Sequence, residues 1–119
     1  MGLEDLSKPV VDIRIRSIGS HRIAYLKGDL SMLTAPDIEQ QLAPTFQVRG
    51  LSLVLDLGEV EFVDSSGFGA LISWRHRVEH GGGSIQLMRV PKSLHTLLEL
   101  SKMEGRFNIL ESEADLRAG

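Results

Sequence analysis

Leu53-Val54-Leu55-Asp56-Leu57-Gly58-Glu59-Val60-Glu61-Phe62-Val63-Asp64-Ser65-Ser66-Gly67-Phe68-Gly69 decides the fold. Its first part belongs to Leu51–Leu57, a short run that is almost wholly apolar. Such runs suit strands covered on both faces, as in parallel sheets. Gly58 to Val63 reads as a loop, and Asp64 as the cap of a helix that runs to about Glu79. Phe68, Leu71, Ile72, Trp74 and Val78 give that helix an apolar stripe. Gly81-Gly82-Gly83 stops it, with Gly81 expected in the left-handed conformation beyond the helix end. A buried strand followed by an amphipathic helix is the repeating unit of an α/β fold.

The pattern extends in both directions. Residues 1–9 read as a flexible N-terminal arm ending at Pro9, and residues 10–119 as a single domain. Val11, Ile13 and Ile15 alternate with Asp12, Arg14 and Arg16, the period of a half-buried strand. Gly19-Ser20 offers a tight turn, and Ile23 to Leu26 forms the second arm of a hairpin. Gly28 ends that strand. Thr34 is a good N-cap, Ala35-Pro36 suits a first helical turn, and Asp37 and Glu39 favour the positive end of the dipole. Ile38 and Leu42 share a face, and this helix is expected to stop before Pro44. On the other side, Ser84 to Met88 reads as a strand. Pro91 opens a helix with Leu94, Leu97 and Leu98 inward, and Phe107, Ile109 and Leu110 form a last strand. Glu111 to Leu116 adds a terminal helical turn. The order β-β-α-β-α-β-α-β predicts a small, mainly parallel sheet whose N-terminal hairpin strand is antiparallel, with right-handed crossovers and helices packed against it.

Composition narrows the chemistry. The chain has 119 residues, 42% apolar and 24% charged, which is one globular domain. There is no cysteine, so disulfides, thiolate zinc sites and cysteine catalysis are excluded. A net charge of −3 argues against a nucleic-acid surface. No apolar run reaches the roughly 20 residues of a membrane span, and Met1 to Asp12 lacks the apolar region of a signal peptide, so a cytoplasmic location is expected.

The chemistry concentrates at Asp64-Ser65-Ser66-Gly67-Phe68-Gly69. Asp64 can accept from the backbone N–H of Ser66 or Gly67, which places Ser65 at the first helical position. The first N–H groups of a helix lack intrahelical partners, so a phosphate on Ser65 would meet a favourable dipole. Gly67 and Gly69 each cost about 1 kcal/mol of helix propensity, as though something approaches the backbone there, either the sheet or a partner. A plain helix cap accounts for Asp64. It does not account for two serines followed by two glycines.

This segment, preceded by Leu55-Asp56-Leu57 and Val63, resembles the signature of STAS domains, and more narrowly of stand-alone anti-sigma factor antagonists. Gly28-Asp29-Leu30 with Thr34-Ala35 is similar to the family's loop between the second strand and first helix. Gly82-Gly83, Leu97 to Ser101 and Phe107 also fall in matching order, so that the resemblance covers roughly residues 10–110. It implies a STAS fold and a binding protein rather than an enzyme, without cofactor or metal. Ser65 would be the phosphorylation site, with Asp64, Ser66 and Gly67 supporting it. Asp29, Ser31, Thr34, Ser65, Ser66, Gly67, Phe68 and Gly69 would contact the partner, an anti-sigma factor that is also an ATPase-type serine kinase. A metal-dependent Ser/Thr phosphatase would reset the switch, and the protein would be a monomer or weak dimer. Three other roles fit the same resemblance: a STAS scaffold subunit of a stress-sensing complex, a phospho-switch acting on a target other than a sigma factor, and a lipid- or transporter-associated STAS protein. The sequence departs from the family at Ser31, where an Asp is common, which alters one polar contact to a kinase.

Other motifs carry less. His76-Arg77-Val78-Glu79-His80 spells a zinc-enzyme pattern, but no third ligand accompanies it, and charged residues at the end of an amphipathic helix explain it. Ser65 and Ser66 lack the preceding glycine of a nucleophile elbow. Gly81-Gly82-Gly83 precedes a strand and has no Lys-Ser/Thr, so it is not a phosphate loop.

Overall fold

The computed structural model describes residues 11–116, so the arm expected over residues 1–9 lies outside the described residues. The elements are β1 (Asp12–Ile18), β2 (His21–Lys27), α1 (Ala35–Phe46), β3 (Ser52–Glu59), α2 (Ser65–His80), β4 (Ser84–Met88), α3 (Lys92–Leu100) and β5 (Asn108–Leu110). Short 3-10 turns occupy Glu104–Arg106 and Glu113–Leu116. The five strands lie in the order β1-β2-β3-β4-β5. β1 is antiparallel to β2 and the remaining pairs are parallel, as the sequence predicts. Phe107, expected inside the last strand, is buried just before it.

The alternation of side chains along each strand divides the interior in two. Ala24, Leu53, Leu55 and Leu87 face one core, which also contains Ile38 and Leu42 of α1, Leu71 and Trp74 of α2, and Leu94 and Leu98 of α3. All three helices therefore lie on one face of the sheet. Ile23, Val54, Met88 and Leu110 point the other way and meet Leu116, with Ile18 and Tyr25 packed around them. The 3-10 turn at Glu113–Leu116 thus brings an apolar residue onto the face that, among the described residues, has no α-helix.

Two helix ends differ from the sequence expectation. α1 does not stop before Pro44 but runs through it to Phe46. Thr45 and Phe46 are buried, so packing holds the last turn although proline removes one of its hydrogen bonds. The exit tightens through bonds from Gln47 N–H to the Pro44 carbonyl and from Val48 N–H to that of Thr45. At the end of α2, Gly81 is not left-handed (φ −85°), and Gly82 takes that conformation (φ +84°). Gly82 N–H bonds to the Glu79 carbonyl at 2.9 Å and Gly83 N–H to that of Val78 at 3.0 Å. That pair is the Schellman pattern shifted by one residue from the expected position.

Candidate functional site at the start of α2

The loops that follow β2, β3 and β4 converge at the C-terminal edge of the parallel strands. Leu30, after β2, forms a parallel bridge with Val63, after β3. Leu30 N–H donates to the Phe62 carbonyl (2.9 Å), and Asp64 N–H to the Leu30 carbonyl (3.2 Å). Just past the third loop, in the first turn of α3, the Ser93 hydroxyl accepts the Val63 N–H at 3.0 Å. The approach to α2 is therefore fixed from both sides before the helix begins.

Asp64 is the helix cap. Its backbone is extended, and its Oδ1 accepts from Gly67 N–H at 2.8 Å, one of the two bonds the sequence offered. Its Oδ2 accepts from Met32 N–H at 3.2 Å, a link to the β2–α1 loop that the sequence did not suggest. Gly67 is buried, and a β-carbon there would run into the Leu30 carbonyl. The close approach expected at this glycine is thus made by the protein itself. At Gly69 a β-carbon would meet nothing within 4 Å, and the residue is exposed. Ser65 and Ser66 are exposed, and among the described residues neither hydroxyl has a hydrogen-bond partner.

The predicted contact residues divide into two groups. Ser65, Ser66, Gly69 and Asp29 are exposed. Phe68 is 8% exposed and sits in the main core, as its place in the helical stripe implies, so its ring offers little to a partner. Thr34 is also buried and is not a side-chain cap for α1. Its hydroxyl instead donates to the Asp29 carbonyl (2.7 Å) and accepts from Ser31 N–H (2.9 Å). The Ser31 hydroxyl accepts from Leu33 N–H at 3.2 Å. Both hydroxyls therefore serve the shape of the loop.

That shape presents residues that sequence reasoning passed over. Met32 and Leu33 are 65% and 66% exposed, and Phe62, in the facing loop, is 51% exposed. Three large apolar side chains therefore stand in solvent within the two loops that meet at Asp64, leaving an exposed apolar surface there. Their signal in the sequence is apolar residues in loops with no periodicity to bury them. A groove of about 510 Å³ continues from this surface between α1 and α2, lined by Met32, Ala35, Pro36, Gln40, Ser66 and Arg77 among others. His76 and His80 lie further along α2, both exposed, and among the described residues no three His, Asp or Glu side chains converge to hold a metal.

Comparison with known proteins places this arrangement in a family. A family model described as "Mlab, STAS domain" matches residues 15–111, which include every strand from β2 to β5 and the Asp64–Gly69 segment.

The chain belongs to the STAS domain family.

An anti-sigma F factor antagonist of Paenibacillus polymyxa is 30% identical over 89 residues, covering 74% of each chain. Among solved STAS structures, an anti-sigma factor antagonist from Mycobacterium paratuberculosis superposes with a TM-score of 0.79 at 21% identity, covering 92% of this chain and 93% of that one. The Bacillus cell fate determinant SpoIIAA, solved in its phosphorylated form, superposes with a TM-score of 0.68 at 15% identity, covering 90% of this chain and 97% of that one. At these identities the structural likenesses establish the STAS fold, a five-stranded mixed sheet with three helices on one side. Among the described residues no helix is long and apolar enough to cross a membrane.

Proposed function

We propose that the protein is an anti-sigma factor antagonist whose affinity for an anti-sigma kinase is switched off by phosphorylation of Ser65. The observation that carries this reading is the exposure of the Ser65 hydroxyl at the first turn of α2, next to the outward-facing Met32, Leu33 and Phe62. The unmodified surface is largely apolar and suits a protein partner, which in a kinase would also bring ATP to Ser65. The γ-phosphoryl group moves to Ser65 Oγ, ADP leaves, and the hydroxyl proton is lost to the kinase or solvent. A relative at 30% identity that is an anti-sigma F factor antagonist supports the target, and a fold neighbour solved in a phosphorylated form supports the chemistry. A metal-dependent phosphatase would return the protein to its binding state. The protein acts as a substrate and binding module, with no catalytic role of its own.

The electrostatics give the switch its size. A phosphate adds about −1.5 to −2 charges at neutral pH. A like-charge contact near 4 Å costs on the order of 4 kcal/mol at an effective dielectric of 20. Each ~1.4 kcal/mol is tenfold in affinity, so a complex across this surface weakens several-hundred-fold without refolding. The test is calorimetric titration of the cognate kinase into the wild-type protein and Ser65→Asp. Loss of binding with an unchanged circular dichroism spectrum is expected. Wild-type affinity in Ser65→Asp, or phosphate found on Ser66 by mass spectrometry, would refute the assignment.

The description of the matching family model, Mlab rather than a sigma antagonist, favours a second reading in which the same surface serves a target other than an anti-sigma factor. It predicts that anti-sigma kinases fail to bind even the unmodified protein.

A further inference from the structure

The β2–α1 loop satisfies most of its own amides. Ser31 N–H goes to the Thr34 hydroxyl and Leu33 N–H to the Ser31 hydroxyl. Thr34 and Ala35 N–H both go to the Ser31 carbonyl, at 3.2 and 2.8 Å. From Ser31 to Ala35 the Met32 amide is the exception, because it leaves the loop and donates to Asp64 Oδ2 at 3.2 Å. The other oxygen of the same carboxylate caps α2 through Gly67. One negative charge therefore holds the helix start and the loop that carries Met32 and Leu33, and it belongs to the residue immediately before Ser65.

We propose that Asp64 is the positioning residue through which modification of Ser65 reaches the Met32–Leu33 loop. The inference rests on the reading of Ser65 as the phosphorylated residue. A phosphate on Ser65 places a second, larger negative charge beside the Asp64 carboxylate and competes with it for the N–H groups at the start of α2 that lack intrahelical partners. The carboxylate turns away from Oδ2's partner, and the Met32 amide loses its acceptor. Met32 and Leu33, at about two-thirds exposure, have little packing to keep them in place once that tie is gone. Phosphorylation then acts twice, by charge at Ser65 and by loosening the apolar pair that the partner binds.

The experiment uses the full chain, labelled with ¹⁵N and carrying phosphoserine at position 65 by amber suppression, against the unmodified protein. Amide exchange and order parameters are read at Met32, Leu33, Gly67 and Leu71. The expected result is exchange at Met32 at least about tenfold faster in the phosphoprotein and lower order at Met32 and Leu33, with Leu71 unchanged. Asp64→Asn provides a second arm. Its single acceptor oxygen can serve only one of the two amides, and the helix cap is expected to keep it, so Met32 loosens without phosphate while Gly67 stays protected. Equal exchange at Met32 in phosphorylated and unmodified protein overturns the inference. If the phosphoprotein also loses kinase affinity in that case, the switch reading stands on charge alone. If kinase affinity is unchanged by phosphate, the switch reading itself fails, whatever the loop does.

Discussion

The α-carbon of Gly67 lies against the backbone carbonyl of Leu30, so that a side chain at position 67 would overlap it. The contact locks the first turn of α2 onto the loop that follows β2 and leaves Asp64 in reach of Met32. A glycine that looks costly in helix propensity is therefore required by the approach of another backbone, which cannot yield as a flexible side chain can.

Gly67→Ala is expected to destabilise the protein by about 2 kcal/mol or more, since forcing atoms into a packed contact shifts backbone. Gly69→Ala, two residues on, is the contrast. With no atom within 4 Å of its β-carbon, it is expected to raise helix stability by up to about 1 kcal/mol. Urea unfolding of both variants checks the pair, and a tolerated Gly67→Ala would contradict the packing described.

Met32→Ala and Leu33→Ala are expected to change stability by less than about 0.5 kcal/mol, as exposed substitutions do. Each is expected to weaken the proposed kinase complex by about tenfold or more, ~1.4 kcal/mol. Calorimetry on the complex, with thermal unfolding of the free protein as control, separates the two effects. Unchanged affinity in the double variant would remove this surface from the interface.

Arg89 and Asp56 form a two-pronged ion pair behind the sheet, and Asp56 is 3% exposed while half of the Arg89 side chain remains in solvent. Arg89 holds a left-handed backbone, φ +53°, to make it. Arg89→Ala leaves a buried carboxylate whose one remaining partner among the described residues is Gly58 N–H. Breaking such a pair costs about 3–5 kcal/mol when both members are buried, and solvent screening at Arg89 brings the expectation to about 1–3 kcal/mol. A lowered urea midpoint at constant slope is the readout.

Tyr25 is the only tyrosine, so absorbance near 295 nm follows its ionisation alone. Burial and then the hydrogen bond to Glu113 (2.5 Å) raise its pKa above the ordinary 10.0. The folded state then holds the phenolic proton at pH values where the unfolded chain has released it. The stabilising contribution is full below pH 10 and declines as pH rises through the folded pKa. The native protein is expected to titrate later than the urea-unfolded chain, and Tyr25→Phe to flatten the alkaline fall in stability. A native midpoint at or below the unfolded one would contradict this.

Much of this structure was legible in the sequence because local chemistry and tertiary packing agree. The hairpin at Gly19, the buried β3 run and the Asp64 cap each follow from residues within a few positions of one another. The misreadings at Pro44 and Thr34 share one cause, which is long-range contact overriding local preference. Pro44 would end a free helix, but burial of Thr45 and Phe46 carries α1 past it. Thr34 would cap a free helix, but its hydroxyl is used to close the preceding loop. The Met32–Asp64 bond joins residues 32 positions apart, and Arg89–Asp56 residues 33 apart, and neither leaves a local trace. The exposure of Met32, Leu33 and Phe62 was equally hidden, because apolar residues in a loop are visible in sequence but their direction is not.

The helix-free face of the sheet sets an order on synthesis. By the time residue 107 has left the ribosome, every buried member of the helix-side core among the described residues has been made, with the partly buried Ile109 still to come. The second cluster still lacks Leu110 and Leu116, so Ile23, Val54 and Met88 wait with Ile18 and Tyr25 as their cover among the described residues. A nascent chain paused at this point would carry a nearly complete domain with an open, adhesive back, and a chaperone that recognises apolar strands would find it there.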